Sequence, residues 1–286
     1  MTDQQSSTDH PTTTSAGHQL SESTYLDSHF EAMRPEYEAM TRSVGIKPGW
    51  QVLDAGCGGG SFLPILAELV GPSGHISAFD LAPENIEVVD ALVEAGKFAC
   101  SIETKIGNAT VLPYEDNTFD AVWCAAVSQY LTDQDLKTML AEHCRVVRPN
   151  GLVVLKDFDL TGLQFYPFDP ILLWHLLEAL RPHDTQIHGG LRAIELPTWF
   201  KETGLTDVRY QTTLCERRAP LRPVERQFIS DALGFIAAEA KKIGIPEAEL
   251  SAWLALNDPN APDYPLKHPD FYWREGHVVV IGRVPE

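Results

Sequence analysis

Basic side chains are under-represented in this chain: 22 Lys and Arg stand against 40 Asp and Glu, a formal net charge of −18 over 286 residues. A field of that sign repels phosphate backbones, which argues against DNA or RNA as substrate, and it disfavours anionic membrane surfaces for the same reason. Long apolar runs are also missing. None reaches the ~18 residues that a membrane-spanning helix needs, so no membrane insertion is expected. The N-terminus has no basic stretch followed by an apolar one, so no secretory signal is expected either. The five cysteines, Cys57, Cys100, Cys124, Cys144 and Cys215, are scattered and form no C-x-x-C pair. They indicate neither a disulfide framework nor a zinc site. No H-x-x-x-H spacing occurs, and metal independence is the expectation. These absences leave a reduced, cytoplasmic setting and a small-molecule partner that is neutral or cationic, and they admit a homodimer.

The most informative stretch that is present runs from Gln51 to Gly60. Val52 and Leu53 read as a short buried strand. Gly56, Gly58, Gly59 and Gly60 then admit a turn and a close backbone approach that Cβ atoms would block. Phe62, Leu63, Ile65, Leu66, Leu69 and Val70 recur at helical spacing, and Gly71 stands where the helix stops. Strand, glycine turn and helix form the first unit of a nucleotide-binding α/β sheet, with amide N–H groups facing a ligand. A strict G-x-G-x-x-G from Gly56 would end at position 61, which is Ser61, so the dinucleotide fingerprint is only partly met. Residues 75–79 read as a second strand ending at Asp80, 20 residues beyond Gly60. An acid there can accept from both hydroxyls of a ribose. The same acid can instead cap the helix that follows.

The run Val52-Leu53-Asp54-Ala55-Gly56-Cys57-Gly58-Gly59-Gly60 resembles the first motif of the class I S-adenosylmethionine-dependent methyltransferases, of the kind that acts on small molecules. Asp54 is the distinguishing residue, since a dehydrogenase would be hurt by an anion beside its pyrophosphate. The resemblance is close over residues 45–157 and looser elsewhere. It implies a Rossmann-like α/β fold, a mostly parallel seven-stranded sheet with helices on both faces. It also implies a C-terminal antiparallel hairpin and an inserted helical cap. The cofactor it implies is S-adenosylmethionine, with S-adenosylhomocysteine as product. Asp54, Gly56, Gly58 and Gly60 would lie near its methionine end, and Asp80 with Leu81 by the ribose. Asn108 and Ala109 would meet the adenine, where Asn108 replaces the family's usual acid but keeps an acceptor oxygen. Ala125 and Gln129 would follow the fourth strand on the cleft side.

The rest of the chain fits that frame. Residues 1–20 hold hardly any apolar side chain and are expected to be disordered. Between 21 and 48, Tyr25, Phe30, Met33, Tyr37, Met40 and Val44 recur at three- and four-residue steps, interrupted by Pro35. They predict one or two lid helices, with Tyr25 among the cofactor contacts; a helix that only covers the sheet edge fits as well. The cofactor core spans 49–160, where strands and helices are expected to alternate five times: strands at 102–106, 121–125 and 151–155, helices at 83–95 and from Thr132. Residues 161–286 complete the sheet and carry the cap, mainly 161–204 and 218–272. Helices are expected at 170–180, 192–204 and 222–243, and strands at 208–214 and 277–284.

Methyl transfer from a sulfonium needs alignment more than a nucleophilic side chain. A base is required only for an acceptor that carries a proton. His175, His183 and His188 are weak candidates by their place after the fifth strand, since each is more readily read as a surface or packing residue. Asp157 and Asp159 could orient an acceptor. Aromatic residues at 165–174 and 271–273 suggest an apolar or aromatic acceptor, or a cap core. The reading is a methyltransferase moving a methyl group to an O, N or C atom of a small metabolite. Two alternatives stay open: an NAD(P)-dependent oxidoreductase, and a non-methylating protein that binds S-adenosylmethionine or S-adenosylhomocysteine.

Overall fold

The structure is a computed structural model that describes residues 23–256, 258–262 and 264–286, with side chains from residue 28 onward. The tail at 1–20 lies outside the described residues, as does the side chain of Tyr25. Elements follow the order α1 (Ser23–Ser43), β1 (Gln51–Ala55), α2 (Leu63–Val70), β2 (His75–Asp80), α3 (Pro83–Glu94), β3 (Ser101–Ile106) and β4 (Phe119–Ala125). Next come α4 (Asp133–Val146), β5 (Val147–Tyr166), α5 (Pro170–Leu180), α6 (Thr185–Arg192), α7 (Leu196–Glu202) and β6 (Thr206–Arg218). The chain closes with α8 (Pro223–Ile243), α9 (Glu247–Ala255) and β7 (Tyr272–Arg283). Among the described residues one seven-stranded sheet forms, in the order β3-β2-β1-β4-β5-β7-β6. The first five strands pair in parallel and β7 runs antiparallel to both β5 and β6. This is the Rossmann-like arrangement and C-terminal hairpin that the sequence predicts.

The period-two alternation of the strands decides which helices cover which face. Val52, Trp123, Val154 and Val279 point to one side, where they meet α1, α2 and the helices after β5. Leu53, Val122, Val153 and Val278 point to the other, against Leu136, Met139 and Leu140 of α4 and Phe200 of α7. With both faces covered, the central strands read as continuous apolar runs.

Three expectations are corrected, and the choice between one and two N-terminal helices is decided. The strands and helices do not alternate without a break, because residues 107–118 join β3 to β4 as turns with no helix. The N-terminal segment is one helix that runs through Pro35. Burial of Phe30, Met33, Tyr37 and Met40 on one face outweighs the single hydrogen bond that the proline removes. The helix expected at 192–204 is two helices: α6 ends at Arg192, a 3-10 turn spans Ala193–Glu195, and Pro197 starts α7 afresh. Finally β5 continues to Tyr166, since its partner β7 pairs with it as far as Tyr272. Asp157 and Asp159 therefore lie within the strand, not after it.

Candidate active site

The glycine turn leaves the carboxyl end of β1 with positive φ at Gly56, Gly58 and Gly60. A Cβ on Gly56 would come within 2.2 Å of Val127 Cγ2, so the turn packs against the β4 exit only because it has no side chain there. Gly56 and Cys57 donate their N–H groups to Phe79 O at 2.7 and 3.0 Å, which binds the turn to β2. Asp80 completes the tie. Its Oδ2 accepts from Gly58 N–H at 2.9 Å, while Oδ1 accepts from Ala82 N–H at 2.9 Å and Asn85 Nδ2 at 3.1 Å.

Asp54 is buried at the end of β1, and its Oδ2 has no hydrogen-bond partner among the described residues. Burial, and then the neighbouring charge of Asp80, push its carboxyl up to about 8. A buried carboxylate oxygen left without a donor is costly unless something brings it a positive charge or a proton.

A pocket opens from this turn. Gly56, Cys57, Gly58, Gly59 and Ser61 line one end, with Ala125, Ala126, Gln129 and Tyr130 beside them. Gln129 is fixed by Asp157, which accepts the Gln129 N–H at 3.1 Å and the Ser128 hydroxyl. Arg192 braces the same turn, donating to Ser128 O at 2.8 Å and to Asp133. The opposite wall is apolar: Phe158 and Leu160 of β5, Leu173 and Leu177 of α5, Phe228 and Phe235 of α8.

The pocket also holds polar groups. Lys156 of β5 is buried, and burial pushes its amine down to about 8; its Nζ sits 3.9 Å from the centre of the Tyr37 ring. His29 and Tyr37 of α1 meet Glu275 and His277 of β7. His29 Nε2 lies 2.6 Å from Glu275 Oε1, and His277 Nε2 lies 2.9 Å from the same oxygen. Burial and then Lys156 push His277 down to about 3. Burial alone would raise the Glu275 carboxyl, but His29 and His277 hold it below the usual carboxylate range.

Of the residues expected at the site, Gly56, Gly58, Ala125 and Gln129 lie on the pocket wall, as do Phe30 and Tyr37. Asp54, Gly60 and Asp80 lie behind that wall and shape it. Leu81 is half exposed just after β2. Asn108 is exposed, and its Oδ1 accepts from Thr110 N–H and Oγ1, both at 2.9 Å; Ala109 follows it. The three histidines are not on the pocket. His175 is exposed and pairs with Glu249 at 3.2 Å. His183 is exposed in the turn after α5. His188 faces Asp133 at 3.2 Å, in a separate hollow with Arg181 and Arg192. Their place after β5 in the sequence suggested the cleft, but the turns of α5 and α6 aim them outward.

His29, Lys156, Glu275 and His277 escape a sequence reading based on short spacing. His29 and Glu275 are 246 residues apart. One local signal existed: Glu275-Gly276-His277 puts two polar side chains on one face of a strand that is otherwise apolar.

Residues 52–151 match the family model described as a methyltransferase domain. The demethylmenaquinone methyltransferase of Bacillus subtilis is 36% identical over 183 residues, covering 60% of this chain and 77% of that one. Among solved structures, a putative methyltransferase of Bacillus halodurans superposes with a TM-score of 0.54 at 17% identity, over 87% of this chain and 98% of that one. The phosphoethanolamine N-methyltransferase 2 of Haemonchus contortus, in complex with phosphomonomethylethanolamine and S-adenosylhomocysteine, superposes with a TM-score of 0.55 at 15% identity, over 94% of this chain and 58% of that one. The last two show likeness of fold. The residues in place fit S-adenosylmethionine as cofactor: the orphaned Asp54 oxygen suits its ammonium, and the glycine-rich turn suits its close passage. Among the described residues no helix is long and apolar enough to cross a membrane. Sequence identity, domain match and fold converge, and the chain belongs to the class I S-adenosylmethionine-dependent methyltransferases.

Proposed function

We propose that the chain transfers a methyl group to an O, N or C atom of a small apolar or aromatic molecule held under α5 and α8. The observation that carries this reading is the continuity of one pocket from the glycine turn to the Leu- and Phe-lined wall. S-adenosylmethionine, when bound, supplies a methyl group on a sulfonium, which moves by in-line displacement.

Asp54 would neutralise the cofactor's ammonium, and the turn at Gly56 to Gly60 would let its backbone pass close by. Asp80 would meet the ribose hydroxyls with whatever acceptor capacity its three internal bonds leave. Leu81 would flank the base, and Asn108 and Ala109 would meet its edge. Ala125 and Gln129 would border the methionine portion. Residues 161–204 and 218–272 would act as the acceptor's cap, with α1 as a lid. Leu173, Leu177, Phe228 and Phe235 would exclude water and hold the acceptor in attack geometry, where most of the rate gain of such a reaction arises. Lys156 stands beside Ala125 in the sheet, and it replaces the three outward histidines as the group that takes a proton from the acceptor. An amine near 8 is suited to that task at neutral pH. Relatives named as demethylmenaquinone methyltransferases support an aromatic ring carbon as the first acceptor to try.

The test is calorimetric titration with S-adenosylmethionine, S-adenosylhomocysteine, NADH and NADPH, followed by incubation with quinols, phenols and aromatic amines. A gain of one methyl mass on a ring acceptor, lost in Leu177→Arg with cofactor affinity unchanged, is the expected result. Cofactor binding without transfer to any apolar acceptor would replace this reading with that of a non-methylating binder.

A further inference from the structure

Four side chains from the two ends of the chain bring four lone-pair-bearing atoms to one point of the pocket. His29 Nε2 is 2.6 Å from Glu275 Oε1, which is 2.9 Å from His277 Nε2. Tyr37 OH closes the figure at 3.2 Å from His277 Nε2 and 3.0 Å from His29 Nε2. The His29, Glu275 and His277 donor atoms all lie within 4.8 Å of one another. Both imidazoles present the same nitrogen to the same carboxylate oxygen, so the group converges on a point instead of forming a chain.

We propose that His29, Glu275 and His277 are the protein ligands of a divalent transition-metal ion, Zn²⁺ by donor type, with one coordination position open to the pocket and the Tyr37 hydroxyl at its rim. Two neutral imidazoles and one carboxylate are a donor set that suits Zn²⁺ with an open site. Bonds of ~2.0–2.1 Å from a tetrahedral ion would separate the donors by ~3.3 Å, so the ion enters by pushing them apart by ~0.4–0.7 Å.

Two neighbours hold His29 and Glu275 as outer partners do in metal sites, while His277 Nδ1 has no hydrogen-bond partner among the described residues. Trp273 Nε1 donates to the other carboxylate oxygen, Glu275 Oε2, at 3.2 Å, which leaves Oε1 for the ion. Phe228 stacks flat on the His29 ring, with centroids 4.3 Å apart and planes 2° apart, and so fixes the direction of its nitrogens. His277 and Glu275 are held by β7, between β5 and β6, where the backbone cannot shift freely. An ion here would present a positive charge to an oxygen or nitrogen of whatever molecule fills the apolar pocket. The site itself does not depend on which molecule that is, or on methyl transfer.

The experiment uses the full chain, stripped with chelator and dialysed, then titrated with ZnCl₂ by calorimetry and with CoCl₂ by visible absorption. One equivalent per chain and the ligand-field bands of four- or five-coordinate Co²⁺ are expected. His29→Gln and His277→Gln should each weaken binding by more than the ~10–100-fold typical of losing an outer partner. His188→Gln, in the separate hollow beside Asp133, should bind as the unaltered chain does. Binding of S-adenosylhomocysteine by each variant shows that it is folded. The proposal is overturned if the unaltered chain takes up no stoichiometric metal. It is equally overturned if the Co²⁺ spectrum persists in both His29→Gln and His277→Gln; the cluster is then a hydrogen-bonded brace between α1 and β7.

Discussion

The backbone N–H of Gly58 donates to Asp80 Oδ2 at 2.9 Å, across 22 residues of sequence. The acid that a ribose would be expected to occupy therefore also holds the glycine turn in shape. The helix-cap reading is not met, since the N-cap of α3 is Ala82, with no side-chain cap hydrogen bond. Of the carboxylate's about four lone-pair sites the chain uses three, which leaves one for a ribose hydroxyl. Asp80→Ala should weaken S-adenosylhomocysteine binding by about 1.5–3 kcal/mol and also lower the melting temperature without ligand. Calorimetry and thermal unfolding check both. Unchanged affinity would remove Asp80 from the site.

Asp54 offers a protonation signature. Its carboxyl stands at about 8 in the free protein and so is mostly protonated at neutral pH. A cofactor ammonium favours the carboxylate, so binding should release close to one proton. Calorimetry in two buffers of different ionisation enthalpy measures that release directly. Asp54→Asn should abolish it and weaken binding by about 1.5–3 kcal/mol. A buffer-independent enthalpy for the unaltered chain would place the ammonium elsewhere.

Arg217 clamps α1 to the far end of the sheet. From β6 it donates to Glu36 Oε1 at 2.8 Å, Glu36 Oε2 at 2.7 Å and Ala32 O at 2.9 Å, and it pairs with buried Glu225 of α8 at 3.1 Å. Arg217→Ala leaves Glu225 short of a partner and Ala32 O without this donor. A loss of about 3 kcal/mol in urea unfolding is expected. Arg217→Lys should recover only part of it, since an ammonium cannot bridge the same groups as a fork. A change below about 0.5 kcal/mol would mean that the clamp is energetically idle.

His143 should make stability fall in mild acid. It is fully buried in α4, neither ring nitrogen has a partner among the described residues, and burial pushes it down to about 4 from an ordinary 6.5. The unfolded chain then binds the extra proton between these values, so stability is complete above about 6.5 and drains as pH falls toward about 4. The total is on the order of 3 kcal/mol. Urea unfolding at about pH 7.5 and about pH 5 should show a much smaller difference in His143→Leu. Parallel behaviour of the two proteins would assign the acid sensitivity to other groups.

The core was legible where one element carries its own signal. A short apolar run located β1, and apolar residues at helical spacing ending at Gly71 located α2, because run length and helix period are local properties of the chain. Legibility failed where packing overrode a local rule. Pro35 suggests a break in α1, yet a buried face holds the helix together. Residues 107–118 form turns and interrupt the expected alternation of strand and helix. His175, His183 and His188 were near the cleft in sequence but turned away from it, since a position after a strand says nothing about which way a helical side chain will point.

By itself the sequence determined the strand–turn–helix at Asp54 to Val70, the acid ending β2, and the alternation that buries both faces of the sheet. Each of these follows from residues within about twenty positions of one another, under rules of backbone geometry and burial. Only the tertiary structure decided what stands opposite the glycine turn. It joined His29 and Tyr37 to Glu275 and His277, drew Lys156 into an apolar pocket, and turned Asp80 onto Gly58. Those meetings depend on how antiparallel β7 enters between β5 and β6 and where α1 then lies across it. No local period records that outcome, because it is settled by long-range packing.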